Sequence, residues 1–142
     1  MKSLTENDIL NYRTNGYLIK RSVFDRKEIS NIAKWIEEYQ NRKADDWLEK
    51  ENAYYETSLM DKNTRILSRV EKFLDYHEGF RNLASSRKLL DPLEDLVGEE
   101  CIIFKEKINL KQPGGNGFRT HQDIVSRWDD FASYFMNIFI SV

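Results

Sequence analysis

His121 and Asp123 stand two residues apart, with Gln122 between them. In extended backbone, side chains alternate between faces, so an imidazole and a carboxylate at this spacing point to the same side. Together they can supply two of the three protein ligands of a facial triad, which leaves three positions on Fe(II) open to co-substrate and oxygen. H-x-D by itself is a common tripeptide, and its meaning depends on what surrounds it. The chain holds one other histidine, His77, and one cysteine, Cys101. That count excludes an internal disulfide and a thiolate cluster, and it restricts any mechanism that needs several imidazoles. His77 lies in Tyr76-His77-Glu78-Gly79, a segment of helical character, where a surface or helix-end role is expected. Cys101, beside Ile102 and Ile103, is expected to behave as a buried small hydrophobe.

The residues leading into the His-x-Asp pair alternate strongly. Ile102, Phe104, Glu106, Ile108 and Leu110 fall on one side, and Ile103, Lys105, Lys107, Asn109 and Lys111 on the other. The second side is polar and cationic. It suits a site for a dicarboxylate or another anion, and it equally suits the solvent face of an edge strand whose lysines discourage edge pairing. Pro113-Gly114-Gly115-Asn116-Gly117 follows. Without the lysine and helix that complete a phosphate-binding loop, it reads as a turn or bulge.

The elements that must carry these residues begin with helices. Thr5 and Asp8 have capping-box spacing, with Ile9 and Tyr12 behind them and Gly16 as a stop. Tyr17 to Arg21 reads as a short strand. Asp25 and Glu28 open a second helix whose stripe is Ile29, Ile32, Ala33, Ile36 and Tyr39, running to about Arg42. Lys43 to Asn63 reads as a long connection, with a short strand around Tyr54 to Leu59. Ile66, Leu67, Val70, Phe73 and Leu74 then recur at helical spacing and predict a third helix. A short helical turn is expected from His77 to Ala84. Leu89, Leu90, Leu93, Leu96 and Val97 form a further stripe that Gly98 ends, with Asp91-Pro92 predicting a fresh start or a kink. Residues 1–98 thus read as the mainly helical part. Residues 99–142 read as strands over Cys101 to Leu110 and again over Ser133 to Val142, giving an α+β fold in one domain spanning 1–142.

In bulk the chain has 142 residues, 40% hydrophobic, 13% aromatic and 32% charged, with a formal charge of −2. This is a globular composition, too aromatic for a disordered chain. The near-neutral charge carries no footprint for nucleic acid. No signal peptide opens the sequence and no apolar run is long enough to span a bilayer, so a cytoplasmic location is the expectation.

The run from Lys105 through Pro113-Gly-Gly-Asn-Gly-Phe-Arg-Thr-His-Gln-Asp123 resembles the segment leading into the first iron ligands of phytanoyl-CoA dioxygenase-like enzymes. Arg69 to Phe80, the leucine-rich stripe before Gly98, and the opening Tyr12-Arg-Thr-Asn-Gly-Tyr-Leu-Ile19 resemble the same family, so the likeness covers nearly the whole chain. The resemblance implies N-terminal helices packed on the first strands of a double-stranded β-helix, or jelly roll. It implies an Fe(II)- and 2-oxoglutarate-dependent dioxygenase in which His121 and Asp123 are iron ligands and the substrate is a small molecule. It further implies that Lys105, Lys107 and Asn109 line the 2-oxoglutarate side, that Phe118 lies near the metal, and that Arg127 and Trp128 are candidates for substrate contact or a lid. Related halogenases have a small residue where Asp123 stands, so the retained acid implies hydroxylation.

The family pattern also includes a later histidine ligand and an arginine for the distal carboxylate of 2-oxoglutarate. Neither has a counterpart here, and the sequence stops inside the apolar run Phe139-Ile140-Ser141-Val142. The reading is therefore of an incomplete jelly roll, inactive as an isolated chain and prone to self-associate through open strand edges and the apolar face around Tyr134 to Ile140. The alternative is a non-catalytic α+β binding or interaction module that kept the fold without a working metal site; a plain helical interaction domain is a third reading. Metal binding separates the first from the other two: a polar, metal-directed His121 and Asp123 pair supports the enzyme, and side chains diverging or buried against apolar neighbours support the module.

Overall fold

The computed structural model describes residues 3–48, 50–123 and 127–142. Among these residues the α-helices are α1 (Glu6–Asn15), α2 (Arg26–Gln40), α3 (Glu78–Ala84) and α4 (Arg87–Val97). The strands are β1 (Asn52–Thr57), β2 (Arg65–Glu71) and β3 (Lys107–Asn109). They form one antiparallel sheet in the order β1-β2-β3 that is not closed into a barrel. The fold is α+β, with N-terminal helices packed against a small antiparallel sheet, consistent with an incomplete jelly roll. No helix among the described residues is long and apolar enough to cross a membrane.

Local chemistry starts the first two helices where the sequence places them. The Thr5 hydroxyl accepts from the Asp8 N–H at 3.2 Å while the Asp8 carboxylate accepts from the Thr5 N–H at 3.0 Å. Asp25 and Glu28 exchange the same pair of bonds, both at 2.8 Å. Each box satisfies N–H groups that the first helical turn would otherwise leave unpaired. These bonds hold the Asp8 and Asp25 carboxyls below the usual aspartate range. Gly16 closes α1 in the left-handed conformation, φ 78°. The α2 stripe then buries Ile32 and Tyr39 in a core with Leu67, Val70, Phe73, Phe80, Ile108 and Leu110.

The segment 66–74 is where the structure departs most from the sequence reading. It is not a third helix; residues 65–71 form the central strand, with Val70 opposite Ala53 on one side and Ile108 on the other. The cause of the misreading is a bulge. Tyr54 pairs with Arg69 and Tyr55 with Leu67, so Ser68 is an extra residue on β2. Core-facing side chains consequently fall at Leu67 and Val70, three apart, which imitates helical spacing. Ser68 is well satisfied there: its hydroxyl donates to Tyr54 O at 3.1 Å and its carbonyl accepts from the Leu110 N–H at 2.9 Å.

Smaller corrections share one reason. Among the described residues, Tyr17 to Arg21, most of Cys101 to Leu110, and Ser133 to Val142 have no ladder partners, so the first and last are not strands and the second reduces to β3. Extended backbone becomes a strand only when a neighbour takes its N–H and C=O groups. The mainly helical stretch 1–98 accordingly contains both β1 and β2. Pro92 starts no new helix; α4 runs through it from its N-cap Ser86. Cys101 is half-buried rather than buried, between exposed Glu100 and Ile102.

The turn after β3 sets the course of the chain toward His121. Gly115 N–H bonds to Gln112 O at 3.0 Å, with Pro113 and Gly114 at the central positions and Gly114 at φ 83°. This is the pattern of a type II turn, which wants proline first and glycine second. The turn is tied to the β1–β2 hairpin: the Leu59 N–H donates to Gly114 O at 2.8 Å, and the Asn116 N–H donates to Glu56 Oε1 at 2.9 Å. A Cβ on Gly114 would run into the Ser58 hydroxyl, whereas one on Gly117 would meet nothing within 4 Å. Gly114→Ala is expected to cost about 1–3 kcal/mol by combining left-handed strain with overpacking. Gly117→Ala should leave stability within about 0.5 kcal/mol. Urea denaturation of the two variants beside the parent checks this, and equal midpoints for both would contradict it.

Candidate metal centre

His121 and Asp123 converge. The His121 Nε2 lies 3.3 Å from Asp123 Oδ1. On the other side of the ring, Nδ1 lies 2.6 Å from the Arg119 carbonyl oxygen. A carbonyl can only accept, so Nδ1 donates to it at the shorter distance, while Nε2 faces Asp123, where a bound metal would take its lone pair. The second carboxylate oxygen, Oδ2, accepts from the Asn137 side-chain amide at 3.0 Å. The imidazole is half-exposed and the carboxylate about one-fifth exposed, so a small ion can reach both.

This donor set fits the iron that the sequence resemblance implies. An imidazole nitrogen with a free lone pair and an ionisable carboxylate oxygen are ligand types that suit Fe(II). Their 3.3 Å separation is close to the roughly 3 Å between adjacent donors around an ion with bonds of about 2.1 Å. The backbone carbonyl that holds Nδ1 is the kind of outer partner that metal-bound histidines use. Among the described residues, no group of three His, Cys, Asp or Glu could hold a metal ion. The pair is thus two donors, and a complete protein triad needs a third.

His77 does not provide it. It is the N-cap of α3, where its Nδ1 accepts from the Phe80 N–H at 3.1 Å and its Nε2 lies 3.4 Å from Glu38. Its ring packs on Trp35, Tyr39 and Phe80 with centroids 4.7–5.9 Å apart. The helix-end role expected for it is the one it has, with the ring mostly buried rather than on the surface.

The remaining candidates are spread over three settings. Lys107 and Asn109 lie exposed on β3, on either side of the buried Ile108. Lys105 shares that exposed side, but its ammonium lies 3.3 Å from Glu71 Oε1. Glu71 is a buried acid that also draws Arg69 Nε at 3.1 Å and the Tyr54 hydroxyl at 3.3 Å. Phe118 is exposed, with the Lys111 ammonium 4.2 Å from its ring centroid. Arg127 takes a left-handed backbone, φ 63°, and pairs with Asp130 at 2.8 Å. Trp128 packs against Phe104 and Phe135, each 5.4 Å between centroids. Phe104 also meets Phe131 at 5.4 Å.

Sequence reasoning missed two contributors to the pair. Asn137 left a signal, being the one amide inside the apolar run Tyr134 to Ile140. Arg119 acts through its backbone carbonyl, which leaves no trace in residue type.

Helices packed on an open antiparallel sheet, with the His-x-Asp pair on the chain that follows the third strand, are consistent with an incomplete jelly roll. The chain belongs to the phytanoyl-CoA dioxygenase family, whose sequence model (Phytanoyl-CoA dioxygenase, PhyH) matches residues 12–131. It is 32% identical over 144 residues to 2-aminoethylphosphonate dioxygenase of the uncultured bacterium HF130_AEPn_1, covering 100% of this chain and 53% of that protein. It is 34% identical over 121 residues to methylphosphonate hydroxylase of Gimesia maris, covering 85% and 45%. Dioxygenase lolE1 of Epichloe uncinata is 32% identical over 146 residues, covering 98% and 53%. The chain spans about half the length of the curated relatives it matches.

The two histidines should hold opposite tautomers. His121 donates from Nδ1 to a carbonyl, whereas His77 accepts at Nδ1 from an N–H and so carries its proton on Nε2. Two-bond ¹H–¹⁵N correlation spectra near pH 8 are expected to separate them, and Zn(II) added as a probe should move the His121 ring signals but not those of His77. Matching tautomers, or a Zn(II) response at His77 alone, would contradict the geometry.

Proposed function

We propose that this chain carries the first two iron ligands, His121 and Asp123, of an Fe(II)/2-oxoglutarate-dependent dioxygenase that hydroxylates a C–H bond of a small molecule. The observation that carries this reading is the convergence of His121 Nε2 and Asp123 Oδ1, with the ring held in the tautomer that offers Nε2 to a metal. Family membership supports the reaction type. Bound there, Fe(II) supplies the centre at which oxygen is activated while 2-oxoglutarate is decarboxylated to succinate.

The chain's own residues bind and orient. The Arg119 carbonyl fixes the His121 ring, so that little reorientation is needed on binding. Asp123 contributes a negative charge beside the imidazole, which favours a divalent cation over water alone. Lys107 and Asn109 present a polar, cationic side of β3 suited to the carboxylates of the co-substrate. Lys105 is assigned the same role at the price of its ion pair with Glu71. Phe118 with Lys111 above it, and Arg127 beside Trp128, are the proposed pocket contributors.

For the substrate class we favour a small phosphonate. The support is the naming of two relatives, 2-aminoethylphosphonate dioxygenase and methylphosphonate hydroxylase. Cations such as Lys107 and Lys111 near the turn would complement such an anion.

The test is succinate formation from 2-oxoglutarate by the complete gene product that carries this chain, under air, with Fe(II) and with each phosphonate. Turnover is expected to depend on iron, and His121→Ala or Asp123→Ala should each lower it more than about a hundredfold, beyond the cost of losing an outer partner. A well-folded protein that binds no Fe(II) and makes no succinate would leave a non-catalytic binding module as the reading.

A further inference from the structure

We infer that Asn137 is a positioning residue for Asp123, holding the carboxylate to one-oxygen coordination. This deepens the proposed metal site and rests on that reading. The two oxygens of Asp123 have different neighbours. Oδ1 faces His121 Nε2 at 3.3 Å, while Oδ2 takes a hydrogen bond from Asn137 Nδ2 at 3.0 Å. A carboxylate free to rotate can offer both oxygens to a cation. One whose second oxygen already accepts from an amide donor is biased toward coordination through the first.

The distinction matters for how many positions remain. A histidine, a second histidine and a one-oxygen carboxylate use three of six sites and leave three open. A chelating carboxylate would use a fourth, leaving two for a bidentate co-substrate and oxygen together. The Asn137 bond also removes rotational freedom from Asp123 before any ion arrives, so less entropy is lost on binding.

The placement of Asn137 favours this role over a packing one. It is exposed, so it is not needed to fill a core, and it interrupts the run Tyr134 to Ile140, which is otherwise apolar. It reaches Asp123 across fourteen residues of chain. That chain includes the aromatic contacts of Trp128 with Phe104 and Phe135. These rings bind the segment before Asn137 to the residues ahead of β3, which brings the amide to the carboxylate.

The experiment uses the complete gene product and Co(II) as the probe, followed by its visible absorption under nitrogen. Three proteins are compared: the parent, Asn137→Ala, and Asn137→Gln, which keeps the amide donor. Asn137→Ala is expected to weaken Co(II) binding about tenfold or more and to change the absorption spectrum as the carboxylate becomes free to chelate. Asn137→Gln should recover affinity to within about threefold, with a parent-like spectrum. Because Asn137 is exposed, the variants should melt within a few degrees of the parent, which a thermal scan verifies. Affinity and spectrum unchanged in Asn137→Ala, or an equal loss in both variants, would overturn the positioning role while leaving the metal site standing. A parent that binds no Co(II) would remove the metal site itself and the inference with it.

Discussion

Tyr39 lies where α2, the connection after it and α3 meet, and much of the packing hangs on keeping its polar end satisfied. Its side chain is fully buried, with ring contacts to Trp47, Phe73, His77 and Phe80. The hydroxyl donates to Glu51 Oε1 at 3.0 Å. Arg42 stacks 4.0 Å from the ring centroid and donates to Glu51 Oε2 at 2.6 Å, where the Leu48 N–H also bonds at 3.1 Å. A buried carboxylate without such partners would cost several kcal/mol. Here burial and the Glu51 charge push the Tyr39 hydroxyl well above its ordinary value, so it stays a protonated donor. The chain leaving α2 is thereby clamped just before β1, which fixes where the sheet begins.

From that anchor the sheet grows by pairing. β1 lies on β2, and β2 receives β3 through Arg69–Asn109, Val70–Ile108 and Glu71–Lys107. The bulge at Ser68 turns Leu67 toward the same core as Val70 and leaves the Ser68 carbonyl free for Leu110. Leu110 is the last core residue before the Pro113-Gly114 turn, so the turn starts from a buried position. Each of these steps constrains the next, and together they deliver the chain to His121 on the far side of the turn.

Beyond the turn the balance changes. Tyr134, Ile138 and Phe139 are exposed, as are Ile102 and Phe104 near the start of the third strand. Contact there comes from small clusters, such as Phe104 with Trp128, Phe131 and Phe135, rather than from a closed core. The proposed metal pair, His121 and Asp123, sits between the two regimes. It follows the tied turn, and Asp123 takes a hydrogen bond from Asn137 in the segment that joins no sheet among the described residues. The Asn137 amide, a polar interruption of an apolar run, is the feature that links these outer residues to Asp123.

What the sequence determined by itself is what interactions within about four residues can decide. The Thr5 and Asp25 helix starts, the α2 stripe, the Pro113-Gly114 turn and the spacing of His121 with Asp123 were all legible, because each is a short-range bond, period or backbone preference. Tertiary structure decided the rest. Residues 66–74 became a strand because β1 and β3 flank them and a bulge absorbs Ser68, neither of which has a local signature. Residues 133–142 pair with no other described segment, because strand identity belongs to a pair of segments, not to one. Trp128 joined an aromatic cluster, Lys105 paired with Glu71, and Asn137 reached Asp123 through contacts that only the folded chain brings within range. Side-chain chemistry is written residue by residue, whereas the partner that gives it direction is chosen by the packing of distant segments.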